Sequence, residues 1–467
     1  MTRPVVVGVD SSTQSCKVVV RDLASGEVVR RATTHHPDGT EVDPKSWTDA
    51  LTAALDDADG LADDVAGIAV GAQQHGMVVL DSDGRVVRPA LLWNDTRSAD
   101  AAAALVAERS PQEWAAATGS VPVASFTVTK LRWFAEHEPE RAAQAAAVCL
   151  PHDFLSAHLA GRFDVDALTT DRGDASGTGY WSPATGEYRA DLLELAFGRR
   201  LEVPRVLAPW KLAGEHRPGV AIAAGTGDNM GAALGLGAKP GDVMVSIGTS
   251  GVVAAVAAAP TADATGIVAG FADATGCFLP LACTLNAAQV LTTVSALLGC
   301  GIEQLSDLAL AAPPGADGLV LVPYFAGERT PNLPDARAEL VGMSLSNTTP
   351  ANLARAAIEG VLCSLADGLD ALVANGVTVA RVMLLGGAAR SNAVRRIATT
   401  VFDADVIVPE PDEYVALGAG VQVARALAGG ADLEWPAAPC ERVAGDMVPA
   451  VRERYRVAAD RVAAAHG

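Results

Sequence analysis

Lysine is scarce in this chain. Only Lys17, Lys45, Lys130, Lys211 and Lys239 occur, and none follows a glycine. The Gly-x-x-x-x-Gly-Lys-Ser/Thr loop of P-loop nucleotide binders is therefore excluded. A His-Glu-x-x-His zinc helix is also missing. The seven cysteines (Cys16, Cys149, Cys277, Cys283, Cys300, Cys363 and Cys440) are scattered, odd in number and without a Cys-x-x-Cys pair. That pattern argues against a disulfide or zinc framework and reads as reduced thiols in a cytoplasmic protein. No apolar run of membrane-spanning length escapes interruption by charge or glycine, and Met1-Thr2-Arg3-Pro4 leads straight into a strand pattern without a signal-peptide core. Basic residues are outnumbered, 35 against 55, for a net charge of −20, which argues against nucleic acid or an anionic membrane as partner. Aromatics make up 4%, and alanine carries much of the apolar half of the chain.

That apolar half is ample for two cores, and 467 residues exceed one ordinary domain. The elements alternate. Val5 to Val9, Lys17 to Arg21 and Val28-Val29 read as strands separated by turns, and Asp43-Pro44 opens a helix as cap and first residue. Val65 to Val70 is a strand, and Met77 to Val87 reads as a hairpin around Asp83-Gly84. Residues 95–160 are mostly helical in pattern. Residues 169–187, rich in Thr, Asp, Gly and Ser, read as a long polar loop with a short hairpin near Tyr180-Trp181. Val220 to Ala224 is a strand, and Gly231 to Gly237 a small-residue helix. The strand–turn–strand opening then partly repeats at Asp242 to Val256, around Gly248-Thr249-Ser250. Strand Val382 to Leu385, helix 391–402, strand Val406 to Val408 and helix 416–428 complete an α/β pattern. Gly237, Pro240 and Gly241 place a boundary near 237–242, giving domains 1–238 and 239–467.

Three glycine or hydroxyl turns carry the chemistry. Gly225-Thr226-Gly227-Asp228-Asn229 follows a strand; Asp228 there is either a helix-capping acid or a general base. Gly248 to Gly251 offers backbone N–H groups suited to phosphate, or is an ordinary hairpin turn. Asp10, at the end of the first strand, is either a buried acid satisfied locally or a residue that holds Mg²⁺ through water. A base, a phosphate cradle and a metal acid are the parts of a phosphoryl transferase. The spacing Gly225-x-Gly227-x-x-x-Gly231 also resembles a dinucleotide-binding turn, and hence a nicotinamide-dependent oxidoreductase. Against that reading, Asp228 would put negative charge at the pyrophosphate, and no strand-end acid follows about 20 residues on. Gln73-Gln74-His75 ends an apolar strand, where large polar groups are expected to face ligand rather than core. Trp93 offers a flat face for a sugar. His35, His36, His152 and Asp153 are expected on the surface.

In order and spacing, several segments resemble the FGGY family of carbohydrate kinases over nearly the whole chain. They are Gly8 to Ser15, Gln73 to Gly76, Leu92 to Asp95, Asp174 to Thr178, Gly225 to Asn229, Ser246 to Ser250, Gly327 to Pro331 and Leu385 to Asn392. The resemblance implies two actin-like (ribonuclease-H-like) domains with the active site in the cleft between them. It implies phosphorylation of a sugar by ATP with Mg²⁺, D-xylulose first among the sugars because His75 and the Trp-Asn-Asp run favour it over glycerol. Other acceptors in the family, such as ribulose, gluconate or another pentulose, are the nearest alternatives, and an ATP-binding sugar sensor on the same fold a more distant one. By family pattern Asp228 is the catalytic base. Gln74, His75, Asp228, Asn229 and Asp95 meet the sugar, and Asp10 lies near the metal. Thr13, Gln14, Ser15, Lys17, Gly248 and Thr249 contact phosphate. Gly386, Gly387, Ser391 and Asn392 meet adenosine. Ser12, Gln74 and Thr226 depart from the glycine, methionine and glycine common there. The partners implied are the sugar and ATP, with neither nucleic acid nor membrane; a homodimer is compatible with this reading.

Overall fold

The computed structural model describes residues 3–466, which form two mixed sheets with helices on their faces. The first sheet runs Leu212–Arg217, Val220–Ala223, Val65–Ala72, Val5–Ser11, Ser15–Asp22, Val28–His35, and the short strand Thr226–Gly227 also joins Val65–Ala72. The second runs Ala269–Ala272, Phe278–Thr284, Gly251–Ala255, Asp242–Ile247, Arg381–Leu385, Asp405–Pro409, Cys440–Val443. Each sheet is built around the same unit. An antiparallel hairpin (Val5–Ser11 with Ser15–Asp22; Asp242–Ile247 with Gly251–Ala255) has its first strand paired in parallel with a later one (Val65–Ala72; Arg381–Leu385). The partial repeat in the sequence is this shared plan.

Local chemistry sets several boundaries. Asp43 accepts a hydrogen bond from the Lys45 amide at 2.9 Å, and Pro44 opens helix Pro44–Asp57 with its fixed φ. Leu51 and Leu55, one turn apart, are buried against the first sheet together with Val7, Val9 and Ile68. The expected hairpin at 77–87 is present in short form, turning at Asp83-Gly84 with a Leu80–Val86 bridge and the Val87 amide donating to the Val79 carbonyl at 2.9 Å, and Val78–Leu80 also pairs with Ala147–Cys149. The polar stretch 169–187 is not an open loop. It folds into helix Arg172–Ser176 and the two-residue ladder of Trp181–Ser182 with Glu187–Tyr188, and Asp171, Asp174 and Ser176 are buried.

Helix Tyr414–Leu427 lies in sequence between Asp405–Pro409 and Cys440–Val443 of the second sheet but packs on the first. Its Ala419, Val423 and Ala424 cover Val6, Ala69 and Ala223. The approach is backbone to backbone: a Cβ on Gly8 would lie 1.8 Å from the Ala416 carbonyl oxygen, and one on Gly418 would lie 1.9 Å from that of Gly231. Among the described residues no single helix is long and apolar enough to cross a membrane. Gly418→Ala must push two backbones apart, at a cost of about 1–3 kcal/mol typical of overpacking. A thermal scan is expected to show a lowered midpoint for this variant and an unchanged one for Gly387→Ala, whose Cβ meets nothing within 4 Å; equal midpoints for the two variants would reject the packing effect.

Candidate active site

The carboxyl ends of the parallel strands from both sheets point into one cleft, where binding sites of open α/β sheets form. Asp10 ends Val5–Ser11, Gln73 to His75 follow Val65–Ala72, Gly225 to Asp228 follow Val220–Ala223, Ser246 to Thr249 end Asp242–Ile247, and Gly386 follows Arg381–Leu385. Three cavities occupy the cleft. The first, of about 500 Å³, is lined by Gln74, His75, Trp93, Phe126, Asp228 and Asn229 from the first half and by Gly248 to Ser250, Phe271, Cys283 and Arg329 from the second. The second, of about 370 Å³, holds Asp10, Lys17, Glu413, Gly386 and Gly387. The third, of about 590 Å³, has an apolar wall of Leu291, Ile302, Leu305 and Ile358 beside Gly387, Ser391 and Asn392. Ser246 lines the first and second; Gly387 and Arg390 line the second and third.

Asp228 is the first residue of helix Asp228–Gly235, so it does not cap the helix; Gly227 holds the capping position without a side-chain bond. Its Oδ1 accepts from the Asn229 amide at 2.8 Å and from Asn229 Nδ2 at 2.9 Å. Burial pushes its carboxyl up to about 7, and the charge of Asp10 adds to the rise against the Asn229 bonds. Asp10 is also raised by burial, to about 6, although Ser12 Oγ donates to its Oδ1 at 2.5 Å and Lys17 Nζ lies 3.8 Å from its Oδ2. Lys17 is shared with Glu413, 2.6 Å away. Ser12 thus directs a hydroxyl at the acid. Asp10 is a buried carboxylate in the wall of the second cavity, an oxygen donor of the kind that suits a hard divalent cation.

His75 adopts φ +65°, the left-handed region that non-glycine residues rarely enter. Its Nδ1–H donates to the Gly177 carbonyl at 2.6 Å, and the ring sits 4.9 Å from that of Phe126 and 5.6 Å from that of Phe271. Burial pulls its pKa down to about 3, so the ring is neutral and Nε2 is left as an acceptor for a hydroxyl. Gln74 is steadied by a 3.4 Å bond to the Gly173 carbonyl. Trp93 is 42% exposed at the cavity rim, and its indole N–H donates to Thr13 Oγ1 at 2.9 Å.

Several expected residues fall elsewhere. Asp95 is buried and does not line the cavity: Arg97 and Thr40 occupy both its oxygens, at 2.8 Å each. Thr13, Gln14 and Ser15 form the tip of the first hairpin, outside the walls of the three cavities, and only Lys17 of that group reaches one. Gln73 is buried rather than facing ligand, and neither side-chain polar atom has a partner. His36, His152 and Asp153 are buried, not on the surface. His36 Nδ1 lies 2.9 Å from the Ser12 carbonyl, and His152 pairs with both Asp153 and Asp174. Phe126, Phe271, Glu413 and Arg329 line the cavities without having been singled out; Arg329 lies within the Gly327 to Pro331 segment, whereas nothing local marks Glu413.

Comparison with known proteins follows the same lines. Residues 5–238 match the N-terminal domain of the FGGY family of carbohydrate kinases, and residues 243–427 match its C-terminal domain. A xylulose kinase of Streptomyces rubiginosus is 45% identical over 98% of this chain and 95% of that protein. One from Escherichia coli K12 is 34% identical over 85% of this chain and 84% of that protein. The crystal structure of xylulose kinase from Bifidobacterium adolescentis superposes with a TM-score of 0.94 at 45% identity, covering 98% of this chain and 99% of that one.

Because the folded Asp228 carboxyl titrates above the ordinary 3.8, the native state binds more protons than the unfolded chain, and its contribution to stability falls as pH rises from about 4 through about 7. Asp228→Asn removes the buried charge. Its thermal midpoint is expected to exceed that of the unaltered protein at pH 8, with the gap narrowing at pH 5; an equal gap at both values would contradict the shift.

Proposed function

The chain belongs to the FGGY family of carbohydrate kinases, and on that premise we propose that it transfers the γ-phosphoryl group of ATP to the terminal hydroxyl of D-xylulose, giving D-xylulose 5-phosphate and ADP. The similarity to xylulose kinases over nearly the full chain supports the choice of sugar. The placement of Asp228 in the wall of the 500 Å³ cavity, on the same hollow as the Gly248 to Ser250 turn, carries the mechanism.

In this mechanism Asp228, half-buried and with its basicity raised, accepts the hydroxyl proton at a carboxylate oxygen as the sugar oxygen attacks phosphorus. Asn229 fixes the carboxylate through Nδ2. Neutral His75 accepts from a sugar hydroxyl at Nε2, Gln74 and Asn229 bond others, and Trp93 packs on the carbon face. Backbone N–H groups around Thr249 face the transferred phosphoryl oxygens, where preorganised donors offset developing charge. Lys17 and the turns at Gly248 and Gly386 flank the phosphates. The third cavity takes adenosine between its apolar wall and Gly387, Ser391 and Asn392. Asp10 is the residue that holds Mg²⁺, which when bound supplies positive charge to the phosphate oxygens. Residues 1–238 contribute the base and most sugar contacts and residues 239–467 the nucleotide site, although both halves wall the sugar cavity.

Asp228→Asn is expected to lose about 10²–10⁴-fold in kcat with ATP binding retained, as read by a coupled ADP assay and nucleotide titration; near-normal turnover would reject Asp228 as base. In the unaltered enzyme kcat is expected to rise with pH through about 7, as the base loses its proton; an acid limb set instead near 4 would speak against it. A panel of D-xylulose, ribulose, gluconate and glycerol with ATP and Mg²⁺ should give the highest kcat/KM for D-xylulose. Preference for another acceptor would reassign the sugar while leaving the kinase reading intact.

A further inference from the structure

Beneath the proposed sugar site lies a polar cluster that touches none of the three cavities. His152, on helix Pro151–Leu159, is 0% exposed, and three carboxylates surround it: Asp174 at 0%, Asp153 at 1% and Asp171 at 2%. Nδ1 of His152 makes a short contact with Asp174 Oδ2. Nε2 lies 3.2 Å from Asp153 Oδ1 and 3.3 Å from the Ala224 carbonyl oxygen. Both ring nitrogens therefore face acceptors. Against an ionised Asp174, a neutral imidazole with one N–H would turn its lone pair toward an acceptor oxygen on the other side, whereas the imidazolium donates at both. His152, Asp171 and Asp174 offer ligand atoms within 4.8 Å of one another, but the His152–Asp174 contact is closed by a proton and leaves no gap for a metal ion.

The ring is a junction between the parts that meet the sugar. On one side it holds the carbonyl of Ala224, the residue before the Gly225 turn that carries Asp228. A Cβ on Gly225 would lie 2.3 Å from His152 Cδ2, and one on Gly227 would lie 2.9 Å from Asp174 Oδ1, so the turn rests directly on the pair. On the other side Asp174 belongs to helix Arg172–Ser176, whose Gly173 carbonyl holds Gln74 and whose following Gly177 carbonyl holds His75. Asp171 fixes that helix by accepting from the Gly173 and Asp174 amides, both at 2.9 Å.

We propose that His152 is kept as an imidazolium and is a positioning residue: it locks the Asp228 turn to the helix that aims Gln74 and His75, and so sets the spacing between base and sugar contacts. The proposal rests on the reading of Asp228 and the sugar site given above. The charge balance agrees with it. Burial pulls the pKa of His152 down and raises those of Asp153 and Asp174, but at the ring the carboxylate charges outweigh burial and push it up.

The first test is NMR of the full-length protein carrying ¹⁵N-labelled histidine, at about pH 8.5, some two units above the ordinary histidine value of about 6.5. One ring with both nitrogens protonated is expected, and it should vanish in His152→Asn; a neutral His152 ring would overturn the proposal. The second test is the kinetics of His152→Asn and Asp174→Asn, assayed well below their unfolding midpoints. Misplacement of a reacting group by about 1 Å costs about 100-fold, so a rise in sugar KM and a fall in kcat, each of about tenfold or more, are expected, with nucleotide affinity unchanged. Folded variants with lowered midpoints and unaltered kcat and KM would reduce His152 to a stabilising residue and reject the positioning role. Should neither variant fold, the unaltered protein decides: its His152 ring protons should shift when D-xylulose is added and not with ADP alone, and no shift rejects the role. If the unaltered protein does not phosphorylate D-xylulose, the sugar assignment fails; the protonation measurement, which needs no substrate, still decides the imidazolium, and the kinetic arm is run with the best acceptor of the panel.

Discussion

Close contact between the backbone of helix Tyr414–Leu427 and the first sheet is the constraint on which the active site depends. That helix belongs in sequence to the second half, and it reaches the first only because Gly8, Gly231 and Gly418 carry no Cβ at the crossing. Its position then fixes both acids. Gln422, fully buried, exchanges two hydrogen bonds with Gly225, donating to its carbonyl at 2.6 Å and accepting from its amide at 2.9 Å. Glu413, at the helix start, takes Lys17 and so shapes the surroundings of Asp10. A substitution on this seam reaches the chemistry without touching either substrate.

Electrostatics in the cleft follow from what the fold withholds. Asp228 and Asp10 are pulled out of water by packing rather than by any unusual partner, and each responds by holding its proton more tightly. His75 lies in the same cavity and moves the other way, losing its charge. The first cavity therefore combines a strengthened base with an uncharged ring; of the cations nearby, Arg329 lines that cavity and Lys17 lines the second. On the proposed mechanism, negative charge arriving with a triphosphate would meet Lys17 and the Gly248 turn, while the hydroxyls of a neutral sugar would meet Asp228 and His75.

Much of this was legible in the chain before its fold was known. The Asp43-Pro44 helix start, strand Asp242–Ile247 and the glycine turns after strands are set by neighbours in sequence, and Gln74, His75, Asp228, Gly248, Thr249 and Gly386 all stand at the cleft. What escaped was pairing across distance. Residues 169–187 look like a solvated loop because their polar groups are many; in the fold those groups satisfy one another, as Asp171 does with the Gly173 and Asp174 amides. His152 and Asp153 look like surface residues for the same reason, since Asp174 stands 22 positions from His152. Asp95 sits in a motif that ends at the cleft, but its carboxylate turns back to Arg97, two residues on, and to Thr40. Lys17 and Glu413, separated by 396 residues, have no local signature at all.

The three hollows of the cleft share walls: Ser246 belongs to the first and second, Gly387 and Arg390 to the second and third. They adjoin one another in turn, first to second and second to third. On the proposed assignment of sugar and nucleotide, a single inhibitor that tethers a five-carbon ketose to adenosine through a polyphosphate bridge would span adjoining hollows. Once one end has docked, the other searches a confined volume, and the tether gains affinity from raised local concentration without any new contact.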